Sequence, residues 1–257
     1  MDMPVLQANE RLDEVNHGIR LIQNTNGLTF GTDALLLAAF LPRTPIDASA
    51  ELGAGTGIVS LLALKTKSIR HIDCIEVQAP YAELISRNAS LNGLSTSITA
   101  HAEDLRTYAA FGERCGRMDA VFANPPYMVS SGKENRAPEK QAARHEVFGG
   151  IFDFAAAAAR LLRYGGRFYC VYRPDRLIDL IAAMRENKLE PKRMTYVHAD
   201  PITPPSMVLV EALAGGKSSL RVTPPLFVYR DADTRPRVYS EDMQTILESG
   251  HFPAIYE

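Results

Sequence analysis

The sequence has no long apolar run. Its longest, Ala34 to Leu41, covers eight residues, against the roughly 20 that a helix crossing a bilayer needs, so a membrane-spanning segment is excluded. The first ten residues hold neither the basic start nor the apolar stretch of a secretion signal, which points to a cytoplasmic protein. Cysteine is scarce: Cys74, Cys115 and Cys170 are odd in number and contain no Cys-x-x-Cys pair. Neither a disulfide framework nor a metal site is indicated. Charge of one sign is scarce as well, the net being −2, which excludes a protein that coats nucleic acid through bulk charge. What remains is ordinary globular composition, 46% hydrophobic and 23% charged over 257 residues. Fibrous and disordered readings fall away, and one large domain or one domain with a small appendage fits the length.

The charge is unevenly spread. Between Arg160 and Arg193 nine basic residues face four acidic ones. Most are expected on solvated helix faces, yet such a band admits a polyanionic partner.

Element types alternate along the chain. Strand patterns ending at Leu52 and covering His71 to Val77, Ser97 to His101, Met118 to Ala123 and Gly166 to Tyr172 are separated by helical spacing over Ile58 to Lys67, Ala79 to Leu91 and Phe152 to Leu162. A helix over Arg176 to Glu186 precedes three strand-like runs with no room for helices between them. This order predicts an α/β fold with a mainly parallel sheet and an antiparallel C-terminal edge. Residues 1–45 are expected to be an N-terminal extension packed over the sheet's mouth, with residues 46–257 forming the main domain. In such sheets ligands bind beyond the carboxyl ends of the strands, so the motifs there carry the chemistry.

The first is Glu51-Leu-Gly53-Ala-Gly55-Thr-Gly57, between a strand and a helix. The glycines allow a tight turn and close backbone approach, and the helix start offers N–H groups to ligand oxygens. A dinucleotide fingerprint needs its third glycine five positions after the first, where this chain has Ile58. Glu51 would repel a diphosphate and suits a cationic amino group, so the motif favours a nucleoside bearing an amino acid. Glu76, at the end of the next strand, stands near the offset at which an acid accepts from ribose hydroxyls. Asp104, after the third strand, is a candidate acceptor for an adenine amino group. Thr32 and Asp33 precede an apolar helix, and either suits its N-cap.

The second motif is Asn124-Pro125-Pro126-Tyr127, directly after the strand Met118 to Ala123. Two prolines hold the Asn124 side chain and the Pro125 carbonyl in one geometry, giving two acceptors for the two hydrogens of a planar amine. Tyr127 offers a flat face for stacking. The polar loop after it leads to Arg144, a candidate substrate contact.

Glu-x-Gly-x-Gly-x-Gly with a downstream Asn-Pro-Pro-Tyr resembles the S-adenosylmethionine-dependent N-methyltransferases. Thr29-Phe-Gly-Thr-Asp33-Ala-Leu-Leu-Leu-Ala38, Ala143-Arg-His-Glu146, Leu189-Glu-Pro-Lys-Arg193 and Pro224-Pro-Leu-Phe-Val-Tyr229 narrow the resemblance to the bacterial tRNA1(Val) adenine-37 N6-methyltransferases. The resemblance implies a Rossmann-like seven-stranded sheet and S-adenosyl-L-methionine as cofactor. Glu51, Gly53, Gly55 and Gly57 would line its methionine part, Glu76 its ribose and Asp104 its adenine, with Thr32 and Asp33 closing over the methionine end. Asn124 to Tyr127 would hold the N6 amine of a tRNA adenine, with no metal and no obligate protein partner. Release-factor glutamine, ribosomal RNA guanine N2 and DNA adenine are compatible with the same tetrapeptide. A nicotinamide-dependent oxidoreductase is opposed by Ile58, and a catalytically silent RNA-binding module leaves Asn124 without a purpose.

Overall fold

A computed structural model describes residues 5–25, 30–107, 111–126 and 149–257. The chain begins with a hairpin, β1 (Glu10–Val15) and β2 (Ile19–Asn24), followed by α1 (Thr32–Phe40). Strand and helix then alternate through β3 (Ile46–Leu52), α2 (Ile58–Thr66), β4 (Ile69–Glu76), α3 (Ala79–Leu91), β5 (Ile98–Ala102), the short α4 (Phe111–Arg114) and β6 (Met118–Ala123). The second half runs α5 (Ile151–Leu161), β7 (Leu162–Tyr172), α6 (Leu177–Glu186), β8 (Leu189–His198), β9 (Pro205–Ala214), β10 (Arg221–Val222), β11 (Leu226–Phe227) and α7 (Glu241–Ser249).

The main sheet has the order β10-β8-β9-β7-β6-β3-β4-β5, with β11 also on β8. Strands β3 to β7 pair in parallel, and β9 runs antiparallel to both β7 and β8. The expected seven-strand core is therefore present, but its antiparallel strand is not the rim. β8 returns parallel from the α6 crossover, and β9 turns back into the gap between β8 and β7. The two-residue strands β10 and β11 pair with β8 in parallel and shorten the exposed edge of the sheet.

Both faces are covered, which is why β6 is apolar without alternation from Ala120 to Ala123. Along β6, Ala120 and Phe122 enter one core with α1, α2 and α3, while Val121 and Ala123 enter a second core with α5 and α6. α1 is apolar around its circumference, and Ala34 to Phe40 are all buried in the first core. Part of the expected N-terminal extension thus belongs to the helical layer itself, because a helix with no polar stripe has to be covered on every side.

The hairpin is held by two asparagines, Asn88 on α3 and Asn92 at its C-cap. Asn88 Oδ1 accepts from Ile22 N at 2.7 Å and its Nδ2 donates to Ile22 O at 3.1 Å; Asn92 makes the same pair of bonds to Arg20 at 2.9 and 2.7 Å. The amides stand in for a neighbouring strand along the free edge of β2. Asn88 Nδ2 also donates to Thr56 O at 3.0 Å, which ties the hairpin to the glycine-rich turn.

At the other end, Arg193 is buried opposite Glu211 on β9. Its Nε donates to Glu211 Oε2 at 2.8 Å, Nη1 to Tyr256 O at 3.0 Å and Nη2 to Phe40 O at 2.9 Å. One guanidinium thereby joins the sheet, the end of α1 and the C-terminal segment. Replacing Arg193 with Ala strands Glu211 with only Arg167 beside it, takes the guanidinium from Phe40 O and leaves Tyr256 O with Arg221 Nη2 at 3.3 Å. The expected loss is about 3 kcal/mol, near the low end for breaking a buried pair, and Lys is expected to restore little of it because a point ammonium cannot span three directions. Urea unfolding of the two variants measures this, and wild-type stability in either would remove the network from the account of the core.

Candidate active site at the carboxyl ends of the central strands

Register brings the motifs level. Leu52 at the end of β3 pairs with Ile75 on β4 and Ala123 on β6, and Glu76 pairs with Ala102 on β5. The residues that follow, Gly53 to Gly57, Glu76, Asp104 and Asn124, therefore leave the sheet at one height, on strands about 4.8 Å apart.

The glycine turn is built against the sheet. Gly53 N and Ala54 N both donate to Ile75 O, at 2.8 and 3.2 Å. Gly53 has φ +66, and a Cβ there would lie 3.1 Å from the Phe154 ring, so both conformation and space require glycine. Gly55 has φ +54 and faces open space, with nothing within 4 Å of where a Cβ would be. Its N–H donates to Glu76 Oε2 at 2.9 Å, while Glu76 Oε1 accepts from Gln78 N at 2.9 Å. One carboxylate thus fixes the first crossover turn to the second. Gly57 closes the turn, its N–H donating to Ala54 O at 2.8 Å, and α2 begins at the next residue.

Glu51 is tied to the start of α2. It is 2% exposed, and its Oε2 accepts from Ser60 N at 3.1 Å and from the Ser60 hydroxyl. Through this oxygen the carboxyl group satisfies a first-turn N–H of α2. Burial pushes its pKa up to about 8. Asp104 stays at the surface end of β5, clamped by Arg106: Oδ1 accepts from Arg106 N at 2.8 Å and Oδ2 from Nη2 at 2.5 Å. The Arg106 hydrogen bonds hold its pKa below the ordinary value.

Thr32 and Asp33 are not the cap of α1. Gly31 occupies that position and Asp33 lies within the first turn. Asp33 Oδ2 instead accepts from Asn124 Nδ2 at 2.9 Å, across 91 residues of sequence. Asn124 Oδ1 is buried and has no hydrogen-bond partner. Leaving such an acceptor unmade costs about 1–3 kcal/mol, and groups of this kind call for a functional account. Pro125 is buried and Pro126 exposed. Tyr127 and Arg144 lie outside the described residues. Ser60, Gln78, Arg106 and Phe154 escaped sequence reasoning; only Arg106, two residues after an acid, carried a local signal.

The basic band does not form one surface. Arg173 and Arg176 follow the carboxyl end of β7, whereas Arg163 lies near its other end, roughly 30 Å away at about 3.3 Å per residue. Arg163, Arg173, Arg176 and Arg185 pair with Asp119, Asp175, Asp179 and Glu190, and Arg193 is buried.

Residues 25–186 match the family model described as the methyltransferase small domain. The chain belongs to this family. Relatives at the sequence level include the tRNA1(Val) (adenine(37)-N6)-methyltransferase of Enterobacter sp. (strain 638), 32% identical over 146 residues, which is 56% of this chain and 58% of that protein. The chain thus spans somewhat over half the length of the curated relatives it matches. In fold, this small-domain methyltransferase is similar to a predicted O-methyltransferase from Agrobacterium tumefaciens, with TM-score 0.68 and 21% identity over 86% of this chain and 97% of that one. It is also similar to the geranyl diphosphate C-methyltransferase of Streptomyces coelicolor A3(2) in complex with Mg2+, geranyl diphosphate and S-adenosyl-L-homocysteine. There the TM-score is 0.52 and the identity 15%, over 71% of this chain and 80% of that one. No helix among the described residues is long and apolar enough to cross a membrane.

The state of Glu51 has a signature in stability. Its carboxyl titrates near 8 in the fold and at the ordinary 4.5 when unfolded, so the folded protein binds the extra proton between those values. The associated stability is complete below 4.5 and is lost as pH rises through 8. Glu51→Gln keeps an acceptor for Ser60 and cannot ionise. Melting temperatures from pH 5 to 9 should fall for the wild type more steeply than for the variant; parallel curves would show that Glu51 ionises freely.

Proposed function

We propose that this methyltransferase transfers a methyl group from S-adenosyl-L-methionine to the exocyclic N6 amine of an adenine in tRNA, and that it does so in the cytoplasm. The observation that carries the reading is the buried, unpartnered Asn124 Oδ1 at the level of an open glycine turn. The names of the sequence relatives support adenine 37 of tRNA1(Val) as the target.

The residues present fit the cofactor. Gly55 leaves space for close approach, and Glu76 lies beside it at the end of β4, where a ribose would exchange its hydroxyls for the Gly55 N–H. Asp104 is the candidate for the adenine end once Arg106 releases an oxygen. The methionine part would lie against the glycine turn, with Glu51 the candidate for its amino group. The bound cofactor supplies a methyl group on a sulfonium.

The N6 amine is a weak nucleophile because its lone pair is delocalised into the adenine ring. Asn124 Oδ1 and the Pro125 carbonyl, accepting its two hydrogens, favour a pyramidal nitrogen with the lone pair free. The N–C bond forms as the S–C bond breaks and leaves its electron pair on sulfur. Positive charge grows on nitrogen as it does so, and the two fixed acceptors stabilise that charge more than the starting amine. The surplus proton departs along these hydrogen bonds to solvent. A loop adenine is already partly unstacked, which lowers the cost of bringing it to the site.

Supplying labelled S-adenosyl-L-methionine with separated tRNA, ribosomal RNA, DNA and release factor, then digesting the products for mass analysis, is expected to give N6-methyladenosine in tRNA. Asn124→Ala is expected to lower the rate by about 10²–10³, the usual effect of removing one preplaced polar group. Label found only in protein, or tighter binding of NAD than of S-adenosyl-L-methionine, overturns the reading.

A further inference from the structure

An asparagine side chain has two ends of nearly the same shape and opposite hydrogen-bonding sense. In the reaction above only one orientation of Asn124 works. With Oδ1 toward the amine the side chain accepts a hydrogen; rotated by half a turn it would present Nδ2, a donor against a donor. Neither Asn124 nor its two prolines decides between these states, because rotation about the last side-chain bond leaves the backbone untouched.

Asp33 decides it. A carboxylate only accepts, so at 2.9 Å from the side-chain amide its Oδ2 admits the nitrogen and repels the oxygen. The carboxylate is itself fixed, since Oδ1 accepts from Ala34 N at 2.9 Å. The space behind it is kept by Gly31, where a Cβ would lie 2.8 Å from Asp33 Oδ1. The support is rigid: Asp33 stands in the first turn of α1, and every later residue of that helix is buried. The unpartnered state of Asn124 Oδ1 is the counterpart of this contact, because the nitrogen end is satisfied and the oxygen end is held ready.

We propose that Asp33 is a positioning residue that sets the hydrogen-bonding polarity of Asn124, and through it favours a nucleophile that donates a hydrogen. The inference rests on the methyl-transfer reading of Asn124. It differs from a direct role of Asp33 at the methionine end of the cofactor, which would show itself in cofactor affinity.

The test uses the full chain, S-adenosyl-L-methionine and unmodified tRNA, with single-turnover methylation rates, cofactor affinity by calorimetry, and melting curves to establish that each variant is folded. Asp33→Ala is expected to lower the rate on the order of 10- to 100-fold, the span of a lost hydrogen bond to a charged group, and to leave cofactor affinity unchanged. Asp33→Asn, whose amide oxygen still accepts, should lose less. Asn124→Asp sets two carboxylates face to face and should lose most of the rate. Combining it with Asp33→Asn restores a donor–acceptor pair with the senses exchanged and keeps a free acceptor toward the substrate. The double variant should therefore run faster than Asn124→Asp alone. An Asp33→Ala rate equal to wild type, a rate loss matched by lost cofactor affinity, or a double variant no better than Asn124→Asp overturns the proposal. A wild-type rate in Asn124→Ala overturns instead the methyl-transfer reading beneath it.

Discussion

Parallel pairing of β3 with β4 on one side and β6 on the other is the constraint from which the site follows. Leu52 is opposite both Ile75 and Ala123, so three strands finish together and their loops open at one rim. The register is fixed by burial. Alternate residues of each strand enter different cores, and a slip by one residue would exchange those faces and carry Glu76 and Asn124 away from the glycine turn. Helical layers on both faces make such a slip costly, and the rigidity of the rim is inherited from that packing rather than from the loops.

Three acidic residues meet this rim with three different outcomes. Glu76 receives backbone N–H groups from two turns and serves as the joint between them. Glu51 is tied to the first turn of α2, where burial raises its pKa to about 8. Asp104 keeps its charge against Arg106. All are acids at strand ends, and only their surroundings separate them: Glu51 and Glu76 are both buried, one against a helix start and one between two turns, and Asp104 lies beside a guanidinium. Asp33, from a helix outside the strand series, completes the set by meeting Asn124.

The alternation of strand and helix, the glycine turn and the Asn-Pro-Pro-Tyr motif could be read directly, because hydrophobic period, positive-φ glycines and proline stiffness are properties of short stretches. The helix Ala79 to Leu91 and the strand Met118 to Ala123 were legible for the same reason. Family membership was equally legible, since it is carried by short contiguous motifs.

Tertiary structure alone decided what depends on distant partners. That β9 enters the sheet between β7 and β8, that α1 is core, and that the basic band is divided between opposite ends of the sheet are matters of topology, which residue order does not encode locally. The tie of Glu51 to α2 depended on Ser60 in the next element, and the bond between Asp33 and Asn124 spans 91 residues. Chemistry at this rim is set by which groups the packed layers force to share space, and that is a property of the folded chain rather than of any stretch of it.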